Sequence, residues 1–215
     1  QRAYRAALQE EGRAVLDRVR AEGGFAVVLA GRPYHADPLV NHNLSHHFTA
    51  QGIPVLTVES LPGIHEQDIP HLTRMETLNS WHVRLLSAAL VASREPSLEM
   101  VQIVSFGCGH DATITDETSR LLSVHAAKDL LVLKLDEGDV KGPLSIRVKS
   151  FVETVRERRA GRVPEIPTAP RPFEKTFEAE DKKRRTILVP NLSPGFTRLA
   201  CGVFAREGFS VRHLP

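Results

Sequence analysis

Two short polar stretches hold the residues with chemistry to offer. They are Gly31-Arg32-Pro33-Tyr34-His35-Ala36-Asp37-Pro38 and Gly107-Cys108-Gly109-His110-Asp111-Ala112. Arg32 presents a planar fork suited to phosphate or carboxylate, and His35 can act as acid or base near neutral pH. Gly31, Gly107 and Gly109 let a backbone turn sharply or approach a ligand closely. Cys108, flanked by two of those glycines, has little side-chain cover, so a ligand or reactive role competes with that of a small packed thiol. For Arg32 and Tyr34 the competing role is anchoring the loop. Neither stretch has the glycine spacing of a dinucleotide fingerprint or the Lys of a Walker loop. No nucleophile–base pair is identifiable by spacing, so a hydrolase using His35 or Cys108 is the weakest reading. His42 and His46 stand four apart, but Asn43 occupies the place where the metal-protease motif needs Glu. His46 and His47 are expected to face solvent.

The elements that must position these loops are legible as apolar runs. Phe25-Ala26-Val27-Val28-Leu29-Ala30 has no alternation and reads as a parallel strand buried on both faces. A helix is expected from Asp37 to about Gln51, with Asp37 as N-cap and Pro38 at its first position. A second strand is expected at 54–58, a helix at 78–92 and a third strand at 101–106 leading into the Cys108 loop. The next helix is expected to begin near Thr115, where Asp116 and Glu117 suit its dipole. A strand at 130–135 and a helix at 144–159 follow. Strands separated by helix-length segments favour crossover connections. The fold class is therefore α/β, a parallel, doubly wound, flavodoxin/Rossmann-like sheet with a partial second βαβ unit. The boundaries read as an N-terminal helix at 1–22, an α/β domain at 23–160, a proline-rich linker at 161–185 and the start of a second α/β domain at 186–215. Both loops leave carboxyl ends of strands, where open α/β sheets bind ligands. They are expected to face one another and line one polar pocket.

Composition narrows the partners. The 215 residues are 41% hydrophobic and 25% charged, with a net charge of +2, as in ordinary globular proteins. No nucleic-acid partner is expected, since Lys182-Lys183-Arg184-Arg185 lacks interleaved aromatics and follows an acidic run. No membrane partner is expected either, because no apolar stretch approaches a span. The two cysteines, Cys108 and Cys201, make no disulfide framework, and a cytoplasmic location is the expectation. A chain opening on Gln1 reads as a piece of something longer.

The loops carry a resemblance. Gly31-Arg32-Pro33-Tyr34-His35 with Asp37-Pro38 and Asn41-His42, then Ser105-Phe106-Gly107-Cys108-Gly109 with Asp111-Ala112 and Thr115-Asp116, resemble the long form of the CoA-substrate-specific enzyme activases. That family is related to 2-hydroxyglutaryl-CoA dehydratase and its activator. The Leu135-Asp136-Glu137-Gly138 segment and a Thr186–Pro190 strand after a proline-rich break resemble it too. The resemblance implies ATPase modules outside this chain, which shows no nucleotide-binding signature, and places the chain in the dehydratase-like region. It implies a 4Fe-4S cluster in the full-length protein, absent from this fragment because two cysteines are too few. Cys108 is then the metal ligand, completed by ligands elsewhere, and Cys201 is read as packing. Gly31, Arg32, Tyr34, His35, Gly107 and Gly109 are the cofactor-binding candidates. The partners implied are the rest of a longer chain and a CoA-ester dehydratase. The chain is read as not catalytic alone, contributing a cleft to ATP-driven electron transfer. The alternative is a flavodoxin-like module binding a phosphate-bearing small molecule such as CoA through Arg32 and the loop glycines.

Overall fold

Five uninterrupted apolar residues, Ala26–Ala30, form β1, and the layers on either side of it explain their composition. In the computed structural model β1 lies between β2 (Val55–Thr57) and β3 (Leu98–Ser105), with β4 (Leu131–Leu135) beyond β3. Every pairing in this order, β2-β1-β3-β4, is parallel, with Val27 opposite Val55 and Ala26 opposite Leu98. Ala26, Val28 and Ala30 enter one core. They meet Leu85 and Ala89 of α3 (Ser80–Arg94) and Leu121 of α4 (Gly109–Ala126). Val27 enters the other core with Phe48 of α2 (Leu44–Thr49) and Val152 of α5 (Lys141–Arg159). Burial on both faces selects a continuous apolar run over alternation. Each fully buried Leu or Val in these layers contributes about 1.5–3 kcal/mol.

The structure describes residues 2–69, 73, 79–105, 108–135, 141–162, 178–191 and 193–214. The expectations for Phe106, Gly107, Asp136-Glu137-Gly138 and most of the proline-rich linker lie outside the described residues. The chain divides into two compact units, 1–168 and 169–215. Within the first, α1 (Arg2–Ala21), read from the sequence as a segment of its own, places Leu16 and Val19 in the first core. Gly12 lets it come that close: a β-carbon there would lie 1.9 Å from the Ser60 carbonyl oxygen.

Several boundaries differ from the sequence expectation, and three of the differences have a local cause. The helix expected from Asp37 begins at Leu44, because His42 and Asn43 take left-handed backbone angles, φ 54° and 55°. Asp37 accepts a bond from the Leu39 amide in a local turn instead of capping a helix. His42 and His46 therefore do not share a helical face. β3 begins at Leu98, because Glu99, only 1% exposed, is tied to Arg158 of α5 at 2.7 Å. Nearby, Lys128 Nζ donates to the carbonyls of Ala92, Glu95 and Leu98 at 2.7–2.8 Å, tying α3 to β3. Finally, α4 starts at Gly109 rather than Thr115. Cys108 is thereby its N-cap residue.

The second unit holds α6 (Asp181–Arg184), β5 (Thr186–Val189), α7 (Pro194–Arg206) and β6 (Ser210–His213), with β5 and β6 parallel. Ser193 Oγ accepts the Phe196 amide and Pro194 opens α7, as the sequence indicates. Cys201 is partly buried, while Phe196, Leu199 and Val203 on the same helix are exposed.

Candidate functional site

Strand order reverses across β1: the chain steps from β1 to β2, then crosses back to lay β3 on the other side. The carboxyl ends of β1 and β3 form the crevice where such sheets take ligands. The Arg32 loop follows β1 and the Cys108 loop follows β3, so the topology brings both candidate loops to this place.

They touch. Arg32 donates through Nε and Nη2 to Asp111 Oδ1, at 3.1 and 2.9 Å, and Nη2 also reaches Cys108 Sγ at 2.7 Å. The other Asp111 oxygen accepts the Ser105 amide at 2.9 Å, so the carboxylate joins the end of β3, the start of α4 and the β1 loop. Asp111 is 4% exposed, and its hydrogen bond to Arg32 raises the guanidinium's pKa against the opposing effect of burial. Tyr34 Oη lies 2.6 Å from Ser105 Oγ, a second tie between the loops.

His35 is held differently. Pro33–Ala36 forms a single 3-10 turn, and within it His35 Nδ1 accepts the Arg32 amide at 3.0 Å. The imidazole lies over Gly31, where a β-carbon would meet Nδ1 at 2.7 Å. This close approach is the reason for the glycine. Burial pushes the His35 pKa below its usual value; Asp111 pulls it up and Arg32 down by smaller amounts. Asn41 completes the turn by donating Nδ2 to the His35 carbonyl at 2.9 Å.

Because the loops are in contact, the expected single pocket is two hollows flanking the Arg32–Asp111 bridge. One, about 460 Å³, is lined by Ser105, Cys108, Gly109, Asp111, Thr115 and Lys134. The other, about 530 Å³, is lined by Gly31, Arg32 and His35 among others and extends over β2. Arg32, Tyr34 and Cys108 are thus brought together, whereas His35 lines the second hollow. Gly109 opens α4 at the surface, and nothing lies within 4 Å of a β-carbon built on it. Gly107 is not among the described residues.

Three contributors went unranked in the sequence. Asp111 sat in the quoted motif, and its signal was an acidic residue one helical turn after Cys108. His82 and His110 lie with ring centroids 5.7 Å apart. The pKa of His82 is lowered by burial first, then by His110 and Arg32. His82 has no sequence signal, since it enters from α3. Among the described residues no group of three or more His, Cys, Asp or Glu is placed to hold a metal ion, and no helix is long and apolar enough to cross a membrane.

Comparison with known proteins gives one family. Residues 1–61 match the model described as a CoA enzyme activase uncharacterised domain. The match covers α1, β1, the Arg32–His35 turn, α2 and β2, and ends before the Cys108 loop. No curated protein and no solved structure matches the chain.

Proposed function

We propose that the chain is the dehydratase-like region of a long CoA-substrate-specific enzyme activase, and that Cys108 is one ligand of a 4Fe-4S cluster completed by residues outside it. The observation that carries this reading is the contact between Arg32 and Cys108. A loop inside the segment matching a CoA enzyme activase domain delivers a cationic donor onto a cysteine sulfur. Charge-assisted donors suit a metal-binding thiolate and the negative charge of an iron–sulfur centre.

The donor set of this chain fits only a part of such a centre. Each iron is normally held by its own thiolate, and the chain carries two cysteines, one in each unit. A cluster would supply one-electron chemistry. The chain's own residues would orient the Cys108 sulfur through Arg32, fix Arg32 through Asp111, and leave the N-terminal turn of α4 open beside the sulfur. ATP hydrolysis and a CoA-ester dehydratase partner belong to the same proposal and would act through modules outside this chain.

The test is iron and acid-labile sulfide per protein, measured on anaerobically prepared full-length protein and on its Cys108→Ser variant, with thermal unfolding alongside. The reading expects lower iron content in the variant at unchanged stability. Unchanged iron would assign Cys108 to structure. The second reading, a module for a phosphate-bearing small molecule, draws on the exposed first turn of α4 with His82 and His110 near it. It ranks lower because Arg32 is committed to Asp111. Saturable binding of CoA to iron-free protein, lost in His110→Ala, would favour it.

A further inference from the structure

Helix α7 carries an apolar stripe that its own unit leaves open. The covered side is marked by Thr197, which is fully buried, and by Phe204, whose ring meets Phe209 at 6.0 Å. Away from that side Phe196, Leu199 and Val203 are 58%, 68% and 53% exposed. The open side of an amphipathic helix is ordinarily polar. Gly195 and Gly202 border the stripe, and a β-carbon built on either would meet nothing within 4 Å. Glycine weakens a helix interior, and nothing within the chain calls for one at Gly202.

The spacing gives the stripe two edges. Seven residues return a helix to within about 20° of the same direction, so Phe196 and Val203 form one edge and Gly195 and Gly202 the other. Leu199 lies between them. Arg206, at the end of the helix, continues the glycine side, and Glu207, which follows directly, continues the Phe–Val side. Both are exposed and make no ion pair among the described residues.

A two-fold axis parallel to the helix sets each edge against the opposite edge of a second copy at the same height. A residue on the glycine edge then faces the next residue of its counterpart. Phe196 enters the gap over Gly195 of the second copy, Val203 enters the gap over Gly202, and Leu199 meets itself on the axis. The same offset brings Arg206 to Glu207 of opposite charge. An antiparallel pair would set large against large and glycine against glycine, and would part Arg206 from Glu207.

We propose that this face of α7 is a self-association surface that takes a second copy of the chain in a parallel two-fold pair. Size and charge match the face to itself in that one arrangement. The proposal is independent of the cluster reading, since it uses neither Cys108 nor iron. The helix has 13 residues, about 20 Å of length, and covers less than the roughly 800 Å² per partner of a standard interface. A weak pair is therefore expected, with a dissociation constant on the order of 100 μM.

The test is sedimentation equilibrium of the reduced 215-residue chain from about 10 μM to about 1 mM, a range that brackets that constant. A reversible monomer–dimer equilibrium is expected. Gly202→Leu fills the gap, displaces nothing within the monomer and favours the helix, so it should weaken pairing at least about tenfold at unchanged thermal stability. Arg206→Glu or Glu207→Arg alone should weaken it about threefold, and the two together should restore it. Geometry is read by disulfide capture in chains with Cys108→Ser and Cys201→Ser. Leu199→Cys and Arg206→Cys should each cross-link under mild oxidant, and Arg198→Cys, on another side of the helix, should not. A chain that stays monomeric throughout, as when the stripe serves some other segment or protein, would overturn the proposal. So would pairing indifferent to Gly202→Leu, a charge swap that fails to restore it, or cross-linking at Leu199→Cys without Arg206→Cys.

Discussion

A β-carbon on Gly31 would stand 2.7 Å from His35 Nδ1 and 3.1 Å from its Cβ. The imidazole therefore rests on bare backbone, and the 3-10 turn that carries it closes on the end of β1.

Gly31→Ala should force that ring outward. The expected cost is about 1–3 kcal/mol, the range for overpacking a filled site. Urea unfolding measures it, and the Arg32 amide signal should move as its bond to Nδ1 is lost. A variant as stable as the parent, with that signal unmoved, would mean the turn relaxes freely.

Arg32 and Asp111 should be energetically coupled. Asp111→Ala removes the partner of Arg32 and of the Ser105 amide together, with an expected loss of about 2–3 kcal/mol. Arg32→Met leaves a carboxylate that is 4% exposed without its cation. A double-mutant cycle should return a coupling of about 1–2 kcal/mol, and strict additivity would show that the bridge does not hold the loops together.

Acid should weaken the fold through His35. Its folded pKa lies below the ordinary value of 6.5 because the ring is buried. Above pH 6.5 both the folded and unfolded chains keep the ring neutral, and this group adds no pH dependence. As pH falls through 6.5 the unfolded chain takes up a proton that the folded chain refuses, so stability drops until the folded pKa is passed. Denaturant midpoints at pH 7.5 and pH 5.5 (about one unit either side of the ordinary value) should fall for the parent. His82, lowered for the same reason, should add to that fall. In His35→Asn the fall should be smaller, and an undiminished fall would place the titration elsewhere.

The sheet was legible because its strands obey one rule. Val27 and Val28, or Val101 and Met100, face opposite cores, so both must be apolar and the run announces itself. The loops were legible because glycine, proline and polar residues cluster where a strand ends. What the sequence concealed were partnerships between distant positions. Glu99 looks like loop until Arg158 is beside it, and Gly12 looks like a flaw in a helix until the Ser60 carbonyl fills its place. The late start of the helix expected from Asp37 was hidden because Asn43 tolerates a left-handed backbone without requiring it. Cys201 reads as packing because amphipathic spacing reports a face, not what covers it; it is partly buried, while Leu199 on the same helix is exposed.

The 79-residue separation between Arg32 and Asp111 has a consequence for the nascent chain. Synthesis runs from the amino terminus, so the Arg32 turn leaves the ribosome long before Ser105, Cys108 and Asp111 exist. Until then β1 has β2 alone as a partner, and the guanidinium has only water. The crevice cannot close until β3 lies beside β1 and brings the first turn of α4 with it. A translation pause or truncation before residue 111 would leave a chain with a turn and an arginine but no Asp111 to hold it.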